Sequence, residues 1–185
     1  MTDEEFWTLA REQADAPPVS PHPEEYLECS LRRGRCFVPL TALYEVVAPP
    51  FHFAMLPATP PWMPGLVSWR NEVIPVACLD TYLFGGRVPS DIIIGDMLNT
   101  PGTMMLIADC GALSEPCDQP FALIVAVIGS ITAIDCAHAT PLGEELELPG
   151  PGRAALKCLW DDAYVLDTQT LLADMLKQVA GAAHG

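Results

Sequence analysis

Side chains that could do chemistry are few and scattered in this chain of 185 residues. The closest pair among the cysteines and histidines is Cys136 and His138, separated by one residue. Zinc requires further ligands at a recognisable spacing, and the sequence provides none. A loop histidine satisfied by a nearby polar group is therefore the favoured interpretation. We expect no metal and no cofactor.

The sequence also lacks the arrangements that support catalysis. It contains no GxSxG, no P-loop, no GxGxxG and no HExxH pattern. The acidic pairs Asp161-Asp162 and Glu144-Glu145 fall in predicted turns, where carboxylates are normally solvated. An enzyme needs a nucleophile, a base or a metal held within reach of each other, so the sequence predicts a protein that is not an enzyme.

Seven cysteines are present, at positions 29, 36, 78, 110, 117, 136 and 158. Their number is odd, no two form a CxxC pair, and most lie in apolar runs. Because buried cysteine behaves as a small hydrophobic residue, we interpret them as reduced core residues of a cytoplasmic protein. A disulfide framework is the alternative interpretation.

Charge limits the choice of partners. The chain carries 24 acidic and 9 basic residues, a net charge of −15. Such a protein repels phosphate backbones and anionic membrane surfaces, so we expect no nucleic-acid partner. The acidic N-terminus has no apolar segment of the signal-peptide kind, and the longest apolar run, residues 121–129, is too short to span a bilayer as a helix. We expect no membrane insertion.

The stretch GLVSWRNEVIPVACLD, residues 65–80, predicts a hairpin with Arg70 and Asn71 in a two-residue turn. This register pairs Trp69 with Glu72, Val67 with Ile74, and Gly65 with Val76. The turn requires positive φ, and Pro75 must lie at a sheet edge or beside a bulge because it has no N–H to donate. Arg70 then points outward from a stiff apolar support. It is either a protein-binding residue or a solubilising turn residue.

Short strands separated by turns surround this hairpin. Nineteen prolines and thirteen glycines are spread along the chain, which favours strands and turns over long helices. Strands are predicted at 26–33, 36–40, 43–47, 65–69, 72–79, 103–110, 121–135, 154–160 and 164–166. One or two helical turns are expected at 79–86, a loop at 136–152, and a closing helix at 167–180 with Asp167 as its N-cap. The predicted class is all-β, with small barrels.

The predicted domain occupies residues 25–180. Residues 1–24 form an N-terminal arm, with a possible short helix at 3–14 followed by a proline-rich linker, and residues 181–185 form a tail. Residues 88–102 are predicted to be a surface insertion. The arm helix is either a docking segment for another protein, a part that folds back on the domain, or disordered.

Several segments together resemble the CheW-like domain of bacterial chemotaxis coupling proteins. They are LYEVV at 43–47, MLPATPPWMPG at 55–65, GLVSWRNEVIPVACL at 65–79, FALIVAVIG at 121–129 and ALKCLWDDAYVLDTQTLL at 155–172. The resemblance covers about residues 25–177, and its most specific part is 65–79. It implies two SH3-like five-stranded β-barrel subdomains packed together, with a groove between them and a C-terminal helix. It also accounts for Pro75, which the family keeps in the same strand.

The resemblance further implies a non-catalytic adaptor that couples the cytoplasmic tips of chemoreceptors to a histidine kinase of the CheA type, in chemotaxis or pilus-based motility. The family's arginine and glutamate fall on Arg70 and Glu45, which are expected to pair near the partner surface. The expected protein-binding residues are Glu45, Val46, Val47, Ser68, Trp69, Arg70, Asn71, Val125 and Val127.

The chain departs from the family pattern at several positions. Ser68 replaces an asparagine, Asn71 a glycine and Cys78 an aspartate, and Asp80 is expected to cap the next helix instead. A glycine and an aspartate of the second half are replaced by Ala122 and Ala126. The alternative hypothesis, motivated by the cysteines and by Cys136-x-His138, is a CheW-like scaffold that acts as a small-ligand, metal or redox sensor.

Overall fold

A computed structural model describes residues 23–49, 54–86, 101–109, 120–144 and 146–182. The predicted helix at 3–14 and nearly all of the predicted insertion at 88–102 lie outside these residues. Within them the chain forms two β-sheets, two short α-helices and one long C-terminal helix. The expectation of an all-β class with a closing helix is confirmed.

The elements are short, as the turn-rich sequence predicts. The strands are β1 (Glu24–Leu31), β2 (Gly34–Pro39), β3 (Leu43–Val47), β4 (Ala54–Met55), β5 (Gly65–Trp69), β6 (Glu72–Cys78), β7 (Met104–Ala108), β8 (Phe121–Val125), β9 (Val127–Ile134), β10 (Leu156–Trp160) and β11 (Ala163–Leu166). The helices are α1 (Leu79–Phe84), α2 (Gly150–Ala154) and α3 (Thr168–Ala182), and a 3-10 turn covers Leu40–Ala42.

The two sheets differ by one strand. A five-stranded sheet has the order β10-β11-β2-β1-β9, and a six-stranded sheet has the order β3-β7-β8-β6-β5-β4. Each contains one parallel pair, β11 with β2 and β6 with β8, among otherwise antiparallel neighbours. The predicted five strands per subdomain therefore hold for one sheet. The other gains a sixth strand from the two residues of β4.

The apolar run 121–135, predicted as one strand, is broken at Ala126. β8 before the break lies in the six-stranded sheet, and β9 after it lies in the five-stranded sheet. The backbone N–H of Ala126 donates to the carbonyl of Ser30 on β1, which directs the chain across to its new neighbour. The passage from β8 to β9 thus connects the two sheets without a loop.

The main core lies between the sheets and the helices. Its fully buried members from the first sheet include Cys29 and Val38, and those from the second include Leu106 and Leu123. The apolar face of α3 completes it, with Leu171, Leu172 and Met175 at 0% exposure. The Asp167 carboxylate accepts the backbone N–H of Thr170, which confirms the predicted N-cap.

Asp80 does not cap α1 as expected. The N-cap position is Cys78, and Asp80 lies in the first turn, where its carboxylate accepts the backbone N–H and the Nε of Arg33 at 2.9 and 3.0 Å. The same arginine donates to the carbonyls of Phe84 and Gly85 at the end of the helix. Arg33 therefore fastens α1 to the β1–β2 turn.

The short helix α2 covers residues 150–154, where the sequence predicted the end of a loop at 152 and the start of a strand at 154. A proline in its first turn fits the helix start, where the missing N–H has no intrahelical partner to lose. A Cβ on Gly152 would lie 2.2 Å from the carbonyl oxygen of Leu83 in α1. The two helices can approach this closely because that position is glycine.

Candidate functional site

The β5–β6 hairpin has the predicted register. Trp69 pairs with Glu72, Val67 with Ile74, and Gly65 with Val76. Arg70 and Asn71 occupy the turn with φ of 47° and 67°, the left-handed values that a two-residue turn of this kind requires. The predicted turn is confirmed, and Arg70 lies at the exposed tip of the hairpin.

Pro75 is not in an edge strand, because β6 lies between β5 and β8. Its neighbour on β5 is Leu66, and the parallel pairing with β8 covers only Val76 to Cys78. Pro75 thus lies just before the part of β6 that pairs with β8. The prediction was an edge strand or a bulge, whereas β6 is an inner strand and its register with β5 is continuous at Pro75. The strand accommodates the proline because pairing with β8 begins only at Val76.

Glu45 on β3 holds the hairpin tip. Its Oε1 accepts the indole Nε1–H of Trp69, and its Oε2 accepts Nη2–H of Arg70, both at 2.5 Å. The guanidinium carbon of Arg70 also lies 4.8 Å from the centre of the Trp69 ring, a cation–π arrangement. The other side of the group is formed by Tyr44, whose ring centre is 5.8 Å from that of Trp69. The pairing of Glu45 with Arg70 that the resemblance implied is present.

Electrostatics keep this glutamate charged. The hydrogen bond from Trp69 and then the contact with Arg70 lower the pKa of Glu45, against the opposing effect of burial. The carboxylate is satisfied within the protein, whereas the Arg70 side chain is 64% exposed. Arg70 therefore presents a cation whose position is fixed on one side and open to solvent on the other.

Glu45 together with Trp69, Arg70 and Tyr44 (the Glu45 group) also connects the two ends of the six-stranded sheet. β3 is one outer strand of that sheet, and β4, at the other end, covers only Gly65 and Leu66 of β5. The Trp69 end of β5 thus has no ladder neighbour beyond it among the described strands. Glu45 reaches across from β3 and closes this gap with side chains instead of a ladder.

The remaining predicted binding residues differ in exposure. Val46 is 39% exposed on the same strand as Glu45, and Ser68 and Asn71 are exposed at the hairpin. Val47 packs against a core cluster of the six-stranded sheet. Val127 is 49% exposed, but it lies on β9, in the five-stranded sheet.

The prediction that Val125 contacts a partner is wrong. It is 1% exposed and belongs to the main core, so its side chain has no surface to offer a partner. The prediction placed Val125 and Val127 on one strand, residues 121–135, and gave both a binding role. The break at Ala126 puts the two valines on different strands, one buried in the core and one in the outer strand of the other sheet.

Apolar surface near the hairpin was missed by the sequence analysis. Tyr44 is 54% exposed, Val73 60% and Met55 56%. The alternation in LYEVV places Tyr44 on the same face as Val46. The predicted hairpin strand places Val73 and Ile74, as sequence neighbours, on opposite faces. The signal was therefore present in the period-two pattern of both strands.

The Cys136-x-His138 pair does not form a metal site here, because His138 contacts Asp135 instead. Nδ1 of His138 lies 2.8 Å from Oδ2 of Asp135, and the His138 side chain is 80% exposed. Across the described residues, no three histidine, cysteine or acidic side chains come together as metal ligands. The satisfied loop histidine is the arrangement observed.

The described part of the chain contains no helix with the length and apolar character needed to cross a membrane.

The chain was compared with known proteins. The profile of the CheW-like domain matches residues 25–174. No curated protein sequence matches the chain. Among solved structures, the crystal structure of the scaffolding protein TtCheW from Thermoanaerobacter tengcongensis is similar, with 20% identity and a TM-score of 0.55 over 78% of this chain and 87% of that one. The structural likeness shows the shared fold, and the match over most of the sequence shows the family: this chain belongs to the CheW-like domain family of chemotaxis scaffold proteins.

Proposed function

We propose that this protein is a non-catalytic cytoplasmic adaptor that couples the cytoplasmic tips of chemoreceptors to a histidine kinase of the CheA type. The domain that does this would occupy residues 25–180, with 1–24 as an arm and 181–185 as a tail. The observation that carries the proposal is the fixed, exposed cation at the β5–β6 hairpin, in a chain whose family serves as scaffold.

The surroundings of Arg70 support a protein contact. Exposed Tyr44 and Val46 flank Glu45 on β3, and exposed Val73 lies on β6, two residues after the hairpin turn. Protein interfaces are enriched in aromatic residues and arginine, and these often carry much of the binding energy. A partner would bury the open side of the guanidinium without first having to order it, because Glu45 and Trp69 already hold it.

Charge supports the choice of partner class. With 24 acidic residues against 9 basic ones, most of this surface repels an acidic partner. An arginine at the hairpin tip is therefore a local exception that an acidic or carbonyl-rich patch on a kinase or receptor would recognise. We place the kinase at the hairpin tip, and a receptor helical hairpin in the groove between the two subdomains, where Val127 would contribute.

The experiment is a capture assay with the tagged full chain and the cell's own proteins, read by mass spectrometry. Arg70→Glu is the test variant. Arg32→Glu is the matched control, because Arg32 is an exposed arginine in the β1–β2 turn of the other sheet and the change in net charge is the same. Circular dichroism of each variant verifies that the fold is retained.

We expect a CheA-type kinase or a chemoreceptor to be captured by the wild type and by Arg32→Glu, and to be lost from Arg70→Glu. Equal capture by all three proteins would remove the role given to Arg70. Absence of both partners from the wild-type sample would contradict the coupling function itself, while leaving the family assignment in place.

A sensor built on the same scaffold is the second candidate. One observation favours a redox sensor over a metal sensor: the free cysteine Cys136 lines a surface recess and packs against the small core cluster that contains the free cysteine Cys158. Oxidation of these two cysteines can be tested separately from partner capture.

A further inference from the structure

The outer strands of the five-stranded sheet are brought together by the segment that follows β9. β9 and β10 are the two ends of this sheet. After β9 the chain turns, and Thr140 exchanges two backbone hydrogen bonds with Leu159 of β10, at 2.9 and 2.8 Å. Residues 135–140 therefore form a seam that closes the sheet on itself.

Two cysteines meet at this seam. Cys136 lies at the start of the seam segment and packs against the small core cluster that contains Cys158 of β10. The two thiols are close enough for Cys136 to raise the pKa of Cys158, and Sγ of Cys136 is 3.7 Å from the hydroxyl of Tyr26. Two cysteines that pack in one cluster on adjoining segments are candidates for a disulfide bond.

One of the two thiols can be reached from outside. A recess of about 160 Å³ opens beside Cys136 and is also lined by Tyr26, Asp135 and Lys157. Cys136 is half-buried, whereas Cys158 is 4% exposed. A small oxidant can therefore reach Cys136 first and leave Cys158 to react second.

The protein contains an internal comparison for this geometry. Cys29 and Cys36 are directly paired across β1 and β2, and Cys29 raises the pKa of Cys36. Both are 0% exposed. The two pairs thus share thiol contact and differ in access, so access decides which pair an oxidant would cross-link.

We propose that Cys136 and Cys158 are a reversible redox site, and that a peroxide converts them to a disulfide across the seam between β9 and β10. Hydrogen peroxide would transfer one oxygen to Cys136, giving a sulfenic acid and one water. The Cys158 sulfur would then attack Sγ of Cys136, forming the S–S bond and releasing a second water. Two electrons pass to the peroxide, and a thiol reductant would reverse the change.

The protonation of Cys158 fits the order of these steps. Burial, together with the hydrogen bond and the charge of the neighbouring Cys136, raises the pKa of Cys158 to about 12, against the opposing charge of Lys157. Cys158 is therefore a thiol and unreactive toward peroxide while Cys136 is reduced.

The test uses the full chain with Cys110→Ser and Cys117→Ser, which removes the two cysteines outside the described residues. The protein is treated with hydrogen peroxide, remaining thiols are alkylated, and peptides are mapped by mass spectrometry before and after reduction. Cys158→Ser is compared with it, and Cys158→Ala replaces the serine variant if circular dichroism shows a disturbed fold. A sulfenic-acid trap is included in each reaction.

We expect the five remaining free thiols to fall to three, with a cross-linked peptide containing Cys136 and Cys158 that reduction separates. In the Cys158 variants, Cys136 should be recovered as the trapped sulfenic acid. Cross-linking of Cys29 to Cys36 instead, oxidation of Cys136 without a link to Cys158, or no loss of thiols would each overturn the proposal. None of these readouts depends on kinase or receptor capture, so this result and that of the adaptor test are independent.

Discussion

The C-terminal helix α3 is joined to the rest of the domain by a chain of hydrogen bonds. The Tyr82 hydroxyl donates to Oδ2 of Asp174 at 2.7 Å, and Nε2 of Gln178 donates to the same oxygen at 2.6 Å. The indole Nε1–H of Trp62 donates to Oε1 of Gln178 at 2.7 Å. Tyr82→Phe removes one hydroxyl from this chain and leaves the ring in place, so its effect measures the bond between α1 and α3.

The magnitude follows from the acceptor. A hydrogen bond to a charged group contributes about 1.5–3 kcal/mol. Asp174 keeps its bond from Gln178 and is partly exposed, so we expect a loss of about 2 kcal/mol on removing the Tyr82 hydroxyl. For a chain of this size, each kcal/mol shifts Tm by roughly 2–4 °C, which predicts a fall of about 4–8 °C. Burial and then Asp174 raise the pKa of Tyr82, so its hydroxyl remains a donor throughout the neutral range.

The assay is thermal unfolding followed by circular dichroism, on Tyr82→Phe, Asp174→Asn and the double variant. If the two side chains interact as described, the double variant should lose less stability than the sum of the single losses. Tyr164→Phe is the control, because this tyrosine packs its ring on Phe84 in the same core and no hydrogen bond of its hydroxyl is among those described. Additive losses, or equal losses for Tyr82→Phe and Tyr164→Phe, would refute the reasoning.

Two further predictions concern acid stability and glycine. Because the folded-state pKa of Glu45 is lowered, its stabilising effect is present above the ordinary value of 4.5 and is lost as pH falls through the lowered value. Urea midpoints measured downward from about pH 5 should therefore fall less steeply for Glu45→Gln than for the wild type. Gly152→Ala should cost about 1–3 kcal/mol in urea unfolding, because the new methyl group would overlap the Leu83 carbonyl. Gly181→Ala, in open space on α3, should instead stabilise by up to about 1 kcal/mol.

The hairpin could be predicted in detail because its information is local. A two-residue turn fixes the register of both strands, and the alternation of apolar residues then fixes their faces. Val67, Ile74 and Val76 are buried as this logic requires, and Val73 is exposed. The cap at Asp167 and the apolar face of α3 are local in the same sense.

The failures concern residues whose positions depend on distant parts of the chain. An apolar run such as 121–135 has the same composition whether it stays in one sheet or crosses to another, so the break at Ala126 left no signal in the pattern. Asp80 looked like a helix cap because its real partner, Arg33, lies 47 residues away in sequence. The contact of Cys136 with Cys158 likewise depends on how β9 and β10 come together, which no local spacing records.

Arg70 shows why a structural role and a binding role need not be alternatives. Its bond to Glu45 helps to close the six-stranded sheet, and the same bond fixes the exposed guanidinium that a partner would meet. Arg70→Glu alone therefore changes both the closure and the charge at the tip. The double variant Glu45→Arg with Arg70→Glu restores an opposite-charge pair while reversing the sign at the tip. If capture returns in that variant, closure is what the partner requires; if capture stays lost in a folded protein, the partner recognises the arginine itself.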